Sequence, residues 1–337
     1  MSKKARHSES AGATGCGNHA KRASRIRRAA PRGCLPRVAR PSLALTLVCF
    51  STAAVRAELP AAAAPNKPAA PIRGALVLGG GAGLPERVFA EFMNLAGAEQ
   101  ARLVVIPTAS AQAEAYLANA SAADELLEPW RARNPAQVRI LHARSPSEAN
   151  GDTFVAALRQ ATGVWFDGGD QSRIAQAYLG TSVERELHAL LDRDGVIGGS
   201  SAGAAMMTAV MIAGGDGPQP EIAAGLDLLP GAIVDQHFLA RHRQPRLLAA
   251  LARYPGRFGL GIDEKTALVV RGRQMRVLGE SSVTVILPAS ASRPATIEPL
   301  SENMSADLVS LSRAAIARAR EPAAAVRSPP ASSQSGS

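Results

Sequence analysis

The most informative stretch of the chain is Gly195-Val196-Ile197-Gly198-Gly199-Ser200-Ser201-Ala202-Gly203-Ala204. Its apolar start predicts a strand, and the small residues that follow predict a sharp turn with two serine hydroxyls at its apex. The apolar segment from Ala204 to Ile212 predicts a helix behind that turn. A strand, a tight turn that carries a serine, and a helix make up a nucleophile elbow. A phosphate-binding turn or a purely structural βα turn has a similar composition, so other segments must decide between them.

Apolar runs alternate with helical patterns along most of the chain. Strands are predicted over 74–79, 102–107, 138–142, 163–166 and 195–198, and helices over 85–96, 111–133, 152–162, 172–179 and 183–192. This alternation predicts an α/β fold with a mainly parallel sheet and helices on both faces. A later helix over 245–254 is followed by closely spaced runs at 266–271, 274–279 and 282–287, which predict an antiparallel C-terminal edge.

The positive charge of the chain belongs to its N-terminal segment. Residues 1–57 hold 12 of the 38 Lys and Arg residues and one of the 28 acidic residues, so the remainder carries 26 basic and 27 acidic residues, a net charge of −1. A nucleic-acid-binding protein concentrates basic residues in its folded part, so we expect no nucleic-acid partner.

The first 57 residues have the order of a secretory signal. A basic region precedes the apolar run from Ser42 to Phe50, which is too short for a stable membrane anchor, and small residues end at Ala57. The expected organisation is therefore a signal peptide over 1–57, an Ala/Pro-rich linker over 58–71, a folded domain over 72–321 and a disordered tail over 322–337. A secreted or periplasmic location follows from this organisation.

Cysteine chemistry is excluded from the mature chain. Cys16, Cys34 and Cys49 all lie in the N-terminal segment, which leaves the roughly 280 remaining residues without a thiolate for a disulfide, a metal site or a nucleophile. We expect no metal and no cofactor.

The glycine-rich stretch 79–83 superficially resembles a dinucleotide-binding loop, but Ile106-Pro107-Thr108 stands where the second strand of that motif would end in an acid. A tight turn at the edge of the sheet is favoured.

One histidine has the position that a serine nucleophile requires. His237 follows an apolar run in Val234-Asp235-Gln236-His237-Phe238 and lies downstream of the elbow, whereas His142, His188 and His242 lie in a strand, a helix and a basic segment. A serine hydroxyl needs an adjacent base to become nucleophilic at neutral pH. The candidates for an acid that orients this base are Asp263 and Glu264, in a glycine-rich turn predicted over 259–265, and Asp216, in the loop after the elbow helix.

Two further clusters follow predicted strands or the candidate histidine. Phe166-Asp167-Gly168-Gly169-Asp170-Gln171 could bring a backbone N–H to a developing oxyanion, or could simply be a turn in which Asp170 caps the next helix. Arg241, Arg243 and Arg246 could bind substrate carboxylates, or could lie on the exposed start of a helix.

Taken together, these segments resemble the cyanophycinase group of the S51 serine peptidases, which are related to the aspartyl dipeptidases. The resemblance covers most of residues 74–290 and rests on four motifs in order: the elbow, the 166–171 segment, Asp235-Gln236-His237-Phe238 with its arginines, and Gly261-Ile262-Asp263-Glu264. It implies a fold like that of class I glutamine amidotransferase domains, with serine in place of cysteine. Ser200 is a departure, since the family usually has threonine there.

The resemblance also implies a role for each matching residue. Ser201 is then the nucleophile, His237 the general base and acid, and Glu264 the acid that orients it. The oxyanion donors are Ala202 and a glycine of the pair Gly168 and Gly169. The residues expected to line the substrate pocket are Gln171, Asp235, Gln236, Arg241 and Arg243.

The family substrate is cyanophycin, a polyaspartate backbone that carries arginine on each side-chain carboxylate. The resemblance therefore implies a serine exopeptidase that releases β-aspartyl-arginine dipeptides through an acyl-enzyme. Two alternatives remain open, an exported aspartyl dipeptidase-like enzyme of the same family and a non-catalytic protein that binds arginine-rich or aspartate-rich polymers. The expected partner is a polypeptide substrate, and the chain could form a homodimer.

Overall fold

The computed structural model describes residue 65 and residues 67–321. The expected signal peptide, most of the linker and the C-terminal tail therefore lie outside the described residues. The strands, in chain order, are β1 (Ile72–Gly79), β2 (Arg102–Ile106), β3 (Gln137–Ile140), β4 (Gly163–Phe166), β5 (Val196–Ser200), β6 (Val210–Gly214), β7 (Glu221–Ala224), β8 (Ala232–Gln236), β9 (Phe258–Ile262), β10 (Thr266–Gly272), β11 (Gln274–Gly279), β12 (Val283–Leu287), β13 (Thr296–Leu300) and β14 (Ser305–Asp307).

The helices lie between these strands and after the last of them. In chain order they are α1 (Glu86–Ala96), α2 (Ala113–Ala118), α3 (Ala120–Arg131), α4 (Pro146–Ala149), α5 (Asp152–Gln160), α6 (Gln171–Tyr178), α7 (Ser182–Asp192), α8 (Ala202–Ala205), α9 (Gln244–Arg253) and α10 (Leu308–Ala319). Among the described residues, no helix is long and apolar enough to cross a membrane.

Eight strands form the central sheet, in the order β14-β11-β10-β1-β5-β4-β2-β3. The neighbouring strands β1, β5, β4, β2 and β3 pair in parallel. On the other side of β1, the strands β10, β11 and β14 extend the sheet through antiparallel pairs. The predicted α/β fold and its antiparallel C-terminal edge are confirmed. One of the three edge strands differs from the expectation, because β12 joins β13, β9 and β8 in a second sheet.

Both faces of the central sheet are covered, as the continuous apolar strands require. On one face, the ring centroid of Phe92 in α1 lies 5.3 Å from that of Trp130 in α3 and 5.1 Å from that of Trp165 in β4. On the other face, Leu76 and Ile197 join a larger core to which α5, α6, α7 and the second sheet contribute. The second sheet thus lies on the face that bears α5 to α7, with β8 parallel to β9.

Two predicted helices are corrected by the structure. The helix expected over 111–133 is interrupted at Asn119, whose side chain accepts hydrogen bonds from the N–H groups of Ser121 and Ala122 and so starts α3. The helix expected over 204–212 is wrong beyond its first turn. After α8, the β-branched residues Val210 and Ile212 extend into β6, which pairs with β7.

The glycine-rich turn expected over 259–265 is also partly wrong. Residues 258–262 form the buried strand β9, and the turn is confined to 263–265. A Cβ atom at position 261 would lie 2.3 Å from the Phe238 ring, so glycine here serves close packing within a strand.

Candidate active site

Ser201 lies at a sharp turn between β5 and α8. Its backbone has φ 52° and ψ −106°, a region that non-glycine residues rarely adopt and that costs of order 1–3 kcal/mol. The turn needs small neighbours, because a Cβ at Gly203 would lie 2.4 Å from the Phe166 carbonyl oxygen. The strained elbow predicted from the sequence is present, with Ser201 and not Ser200 at its apex.

The Ser201 hydroxyl is the first member of a chain of two hydrogen bonds. Its Oγ lies 2.9 Å from Nε2 of His237, and Nδ1 of His237 lies 2.7 Å from Oε1 of Glu264. Since a carboxylate oxygen accepts hydrogen bonds, this contact places the ring proton on Nδ1 and leaves Nε2 to accept the serine proton. Asp216, the alternative partner for the histidine, is exposed in the loop between β6 and β7. Glu264 is the acid that contacts His237.

Three consecutive carbonyl groups at the end of β1 hold together the segments that carry Ser201, His237 and Glu264. The oxygens of residues 79, 80 and 81 accept backbone N–H bonds from Ser201 (2.8 Å), His237 (3.0 Å) and Lys265 (2.9 Å), respectively. Gly81 has φ 108°, and a Cβ there would lie 2.4 Å from Cε1 of His237. The glycine stretch is the tight turn favoured from the sequence, and the space beside it is occupied by the imidazole.

The surroundings of His237 favour its neutral form. Burial of the ring lowers its pKa below the ordinary value, and the positive charges of Arg241 and Arg243 lower it further, while the contact with Glu264 partly opposes both effects. The side chain is 9% exposed. A neutral imidazole at neutral pH can accept a proton from the serine hydroxyl.

The loop after β4 borders the elbow because β4 and β5 are neighbours in the sheet. A Cβ at Gly168 would lie 3.6 Å from Cβ of Ser201, and one at Gly169, which adopts φ 139°, would lie 2.1 Å from the Ala109 carbonyl oxygen. Ala202 is the first residue of α8 and is buried. Gly168 thus lies close to Ser201, and Ala202 follows Ser201 in the chain, while the oxyanion role of Gly168, Gly169 and Ala202 stays a prediction.

Most of the residues expected to line the substrate pocket make contacts within the protein. Asp235 is buried and forms a two-pronged ion pair with Arg246, at 2.9 and 2.6 Å. Arg243 donates to both the side chain and the backbone carbonyl of Gln236. The Nε2 group of Gln171 donates to the carbonyls of Ile212 and Ala213, which links α6 to β6.

Arg241 is the member of this set that is exposed, in the turn that follows His237. Burial of the ring is the main cause of the lowered pKa of His237, and the positive charge of Arg241 lowers this pKa further. Binding of substrate by Gln171, Asp235, Gln236, Arg241 and Arg243 stays a prediction.

Asp263 has a role that the sequence did not reveal. Its Oδ1 accepts the N–H groups of Leu239 and Ala240, both at 3.0 Å, and its Oδ2 accepts the hydroxyl of Ser281 at 2.7 Å. Burial alone raises the pKa of this carboxyl, but these hydrogen bonds hold it below the ordinary value. Asp263 therefore anchors the loop that follows His237, while its neighbour Glu264 contacts the ring.

Comparison with known proteins agrees with this arrangement. The model of peptidase family S51 matches residues 75–278. Over 206 residues the chain is 36% identical to the cyanophycinase of Nostoc sp., which corresponds to 58% of this chain and 67% of the relative. Over 214 residues it is 34% identical to the cyanophycinase of Synechococcus elongatus, 61% of this chain and 65% of the relative. The chain thus spans about two thirds of the length of these curated relatives.

A solved structure shares the fold. A peptidase from an acI-B1 actinobacterium superposes with a TM-score of 0.55 at 18% identity, over 70% of this chain and 97% of the other. The family model covers more than half of the chain and includes Ser201, His237 and Glu264. The chain belongs to peptidase family S51 and is a serine peptidase.

Proposed function

We propose that the protein hydrolyses cyanophycin and releases β-aspartyl-arginine dipeptides. The observation that carries the proposal is the unbroken chain of hydrogen bonds from Ser201 through His237 to Glu264. Support for the substrate comes from the relatives, since several proteins that are 31–36% identical to this chain are cyanophycinases.

The proposed reaction begins with proton transfer from the Ser201 hydroxyl to Nε2 of His237. The serine oxygen attacks the scissile carbonyl, and backbone N–H groups of Ala202 and of the 168–169 loop stabilise the oxyanion, each by a factor of roughly a hundred or more. The imidazolium, oriented by Glu264 at 2.7 Å, then returns the proton to the leaving amine. A water activated by His237 hydrolyses the resulting acyl-enzyme.

Charge near the histidine suits a substrate rich in carboxylates. Arg241 is exposed one turn beyond His237, and Arg243 lies close to it with a side chain that is 15% exposed. Guanidinium groups bind carboxylates through paired hydrogen bonds. In cyanophycin every arginine branch ends in a carboxylate, so these residues are suited to hold a branch near the cleaved bond.

The experiment is incubation of the purified protein with cyanophycin, with product analysis by mass spectrometry. Release of β-aspartyl-arginine dipeptides is expected from the wild type and from Ser200→Ala, and no release from Ser201→Ala. A parallel panel of α-aspartyl and β-aspartyl dipeptides distinguishes an aspartyl dipeptidase. If the protein bound the polymer without forming product, it would be a binding protein and the proposal would fail.

We also propose that the protein is exported. The basic and apolar segments within residues 1–57, which lie outside the described residues, support this proposal. N-terminal sequencing of the protein recovered from the periplasm or the culture medium is expected to start near Glu58. A cytoplasmic protein that retains Met1 would contradict it.

A further inference from the structure

A polar cavity opens at the carboxyl ends of β2 and β3. This side cavity has a volume of about 310 Å³ and lies between the loop 107–112, the residues that follow β3 and the middle of α6. Its charged lining residues are Glu114, Arg144 and Arg173. None of these three belongs to the hydrogen-bonded chain around Ser201.

The side cavity is joined to the elbow through the loop that follows β4. Asp170 donates its backbone N–H to the Ala109 carbonyl at 2.9 Å, and Arg173 donates from Nη1 to the Ser110 carbonyl at 3.0 Å. Gly168, in the same loop, faces Ser201. Because β5, β4 and β2 are successive neighbours, about two strand spacings, roughly 10 Å, separate the elbow from the side cavity.

The opening of the side cavity carries charges of both signs. Glu114 accepts from Nε of Arg144 at 2.5 Å and lies 3.3 Å from Nε2 of His142. Its own backbone N–H and the Arg144 guanidinium lower its pKa to about 2, so it is ionised at neutral pH. The Glu114 and Arg144 side chains are 46% and 65% exposed, and an exposed pair of this kind is worth little and is easily exchanged.

Arg173 has donors to spare for a ligand. Its side chain is 49% exposed, and its contacts are the bond to Ser110 and an approach of 4.0 Å to Asp170. A guanidinium carries five N–H donors, so these contacts do not exhaust it. Below it, Thr108 Oγ1 lies 2.6 Å from the Tyr178 hydroxyl and 2.9 Å from Nδ1 of His142, which fixes a polar floor.

We propose that the side cavity is a second binding site for the substrate, which takes an arginine branch distant from the cleaved bond. Arg173 binds the carboxylate of that branch, and Glu114 binds its guanidinium. The inference rests on the proposed function, because an aspartyl-arginine polymer presents both charges on every branch. An extended chain advances at most about 3.5 Å per residue, so a span of roughly 10 Å corresponds to about three repeats.

This placement predicts that the side cavity matters only for long substrates. The backbone of a two-repeat oligomer spans roughly 7 Å, less than the separation between Ser201 and the side cavity, whereas that of a six-repeat oligomer spans roughly 21 Å. The test compares wild type, Arg173→Ala and Glu114→Gln on both oligomers. A third substrate is a six-repeat oligomer in which the α-carboxylates of the distal arginine branches are replaced by carboxamides. Arg185→Ala is the matched control, since Arg185 is an exposed arginine on α7, in contact with Ser182.

For Arg173→Ala we expect KM on the long oligomer to rise about tenfold with kcat within about twofold, the size of one lost charge-assisted hydrogen bond. KM on the short oligomer and on the amidated oligomer should not change. Glu114→Gln should raise KM for both six-repeat oligomers, which keep their guanidinium groups, and not for the short oligomer, and Arg185→Ala should change nothing. Thermal unfolding of each variant reports its folding, and Glu114→Gln, at an exposed position, carries the test if Arg173→Ala does not fold.

Equal changes on all three substrates, or no change on the long one, would overturn the side-cavity proposal while leaving the proposed function intact. A wild-type protein that cleaves none of the oligomers would instead overturn the proposed function and this inference together.

Discussion

Nε2 of His237 lies 2.9 Å from Oγ of Ser201, although the two residues follow strands of different sheets. Ser201 follows β5 of the central sheet, and His237 follows β8 of the second sheet. The carbonyls of Gly79 and Gly80 bind the backbone N–H groups of these two residues, so the end of β1 sets the position of one relative to the other.

Gly81→Ala tests whether the glycine turn positions the histidine. The new Cβ would overlap Cε1 of His237, so the ring must move, and a displacement of about 1 Å costs on the order of a hundredfold in rate. We expect kcat to fall by about that factor in steady-state assays. Gly83→Ala is the matched control, because Gly83 also has a positive φ, of 70°, but open space around its Cα. Similar losses in both variants would attribute the effect to backbone strain alone.

Glu264→Gln tests the orientation of the imidazole. A glutamine amide can donate to Nδ1 and so favour the tautomer with its proton on Nε2, which cannot accept the serine proton. The expected loss in kcat is about 10² to 10⁴, with KM little changed. Asp216→Asn, at the exposed alternative position, should retain activity. Loss of activity in Asp216→Asn with a normal Glu264→Gln variant would reverse the assignment.

The pH dependence of kcat/KM should report the lowered pKa of His237. Activity requires the neutral ring, so it should persist as pH falls through 6.5, the ordinary value for histidine, and decline only at lower pH. Arg241→Ala removes a positive charge that lowers this pKa, so the acidic decline should move to higher pH. Arg185→Ala should not move it. A shift to lower pH in Arg241→Ala would contradict the electrostatic assignment.

The buried pair of Asp235 and Arg246 should dominate the stability of the loop that bears His237. The two side chains are 1% and 5% exposed, so Arg246→Leu leaves a buried carboxylate without its partner. The expected loss in the free energy of unfolding is about 3–5 kcal/mol, measured by denaturant titration. Arg273→Leu breaks the exposed pair with Asp307 and should have little effect. Equal losses in the two variants would show that burial of the pair is unimportant.

The sequence predicted the parts of the site that side-chain chemistry reveals. An apolar run that ends in Asp-Gln-His predicts that His237 lies at a strand end, and the small residues around two serines predict the elbow. It did not predict the second sheet, because the glycines of β9 lower its apparent strand character while packing against Phe238 and α9. The end of the segment 204–212, from Val210, belongs to β6 because pairing with β7 overrode its helical pattern.

Backbone contacts explain the other omissions. The carbonyls of residues 79–81 act without any side chain, so the sequence shows only a run of glycines. Asp263 and Glu264 are adjacent acids with the same chemistry, and only their opposite directions in the turn separate an anchor for the loop from a partner for the histidine.

The most direct test of the account is the site at which a serine-directed fluorophosphonate labels the native protein. One adduct per chain, located on Ser201 by peptide mass spectrometry and abolished in His237→Ala, is the predicted result, because the histidine is required to activate the hydroxyl. Labelling on Ser200, or an unlabelled protein that still releases dipeptides from cyanophycin, would contradict the assignment of Ser201 as nucleophile.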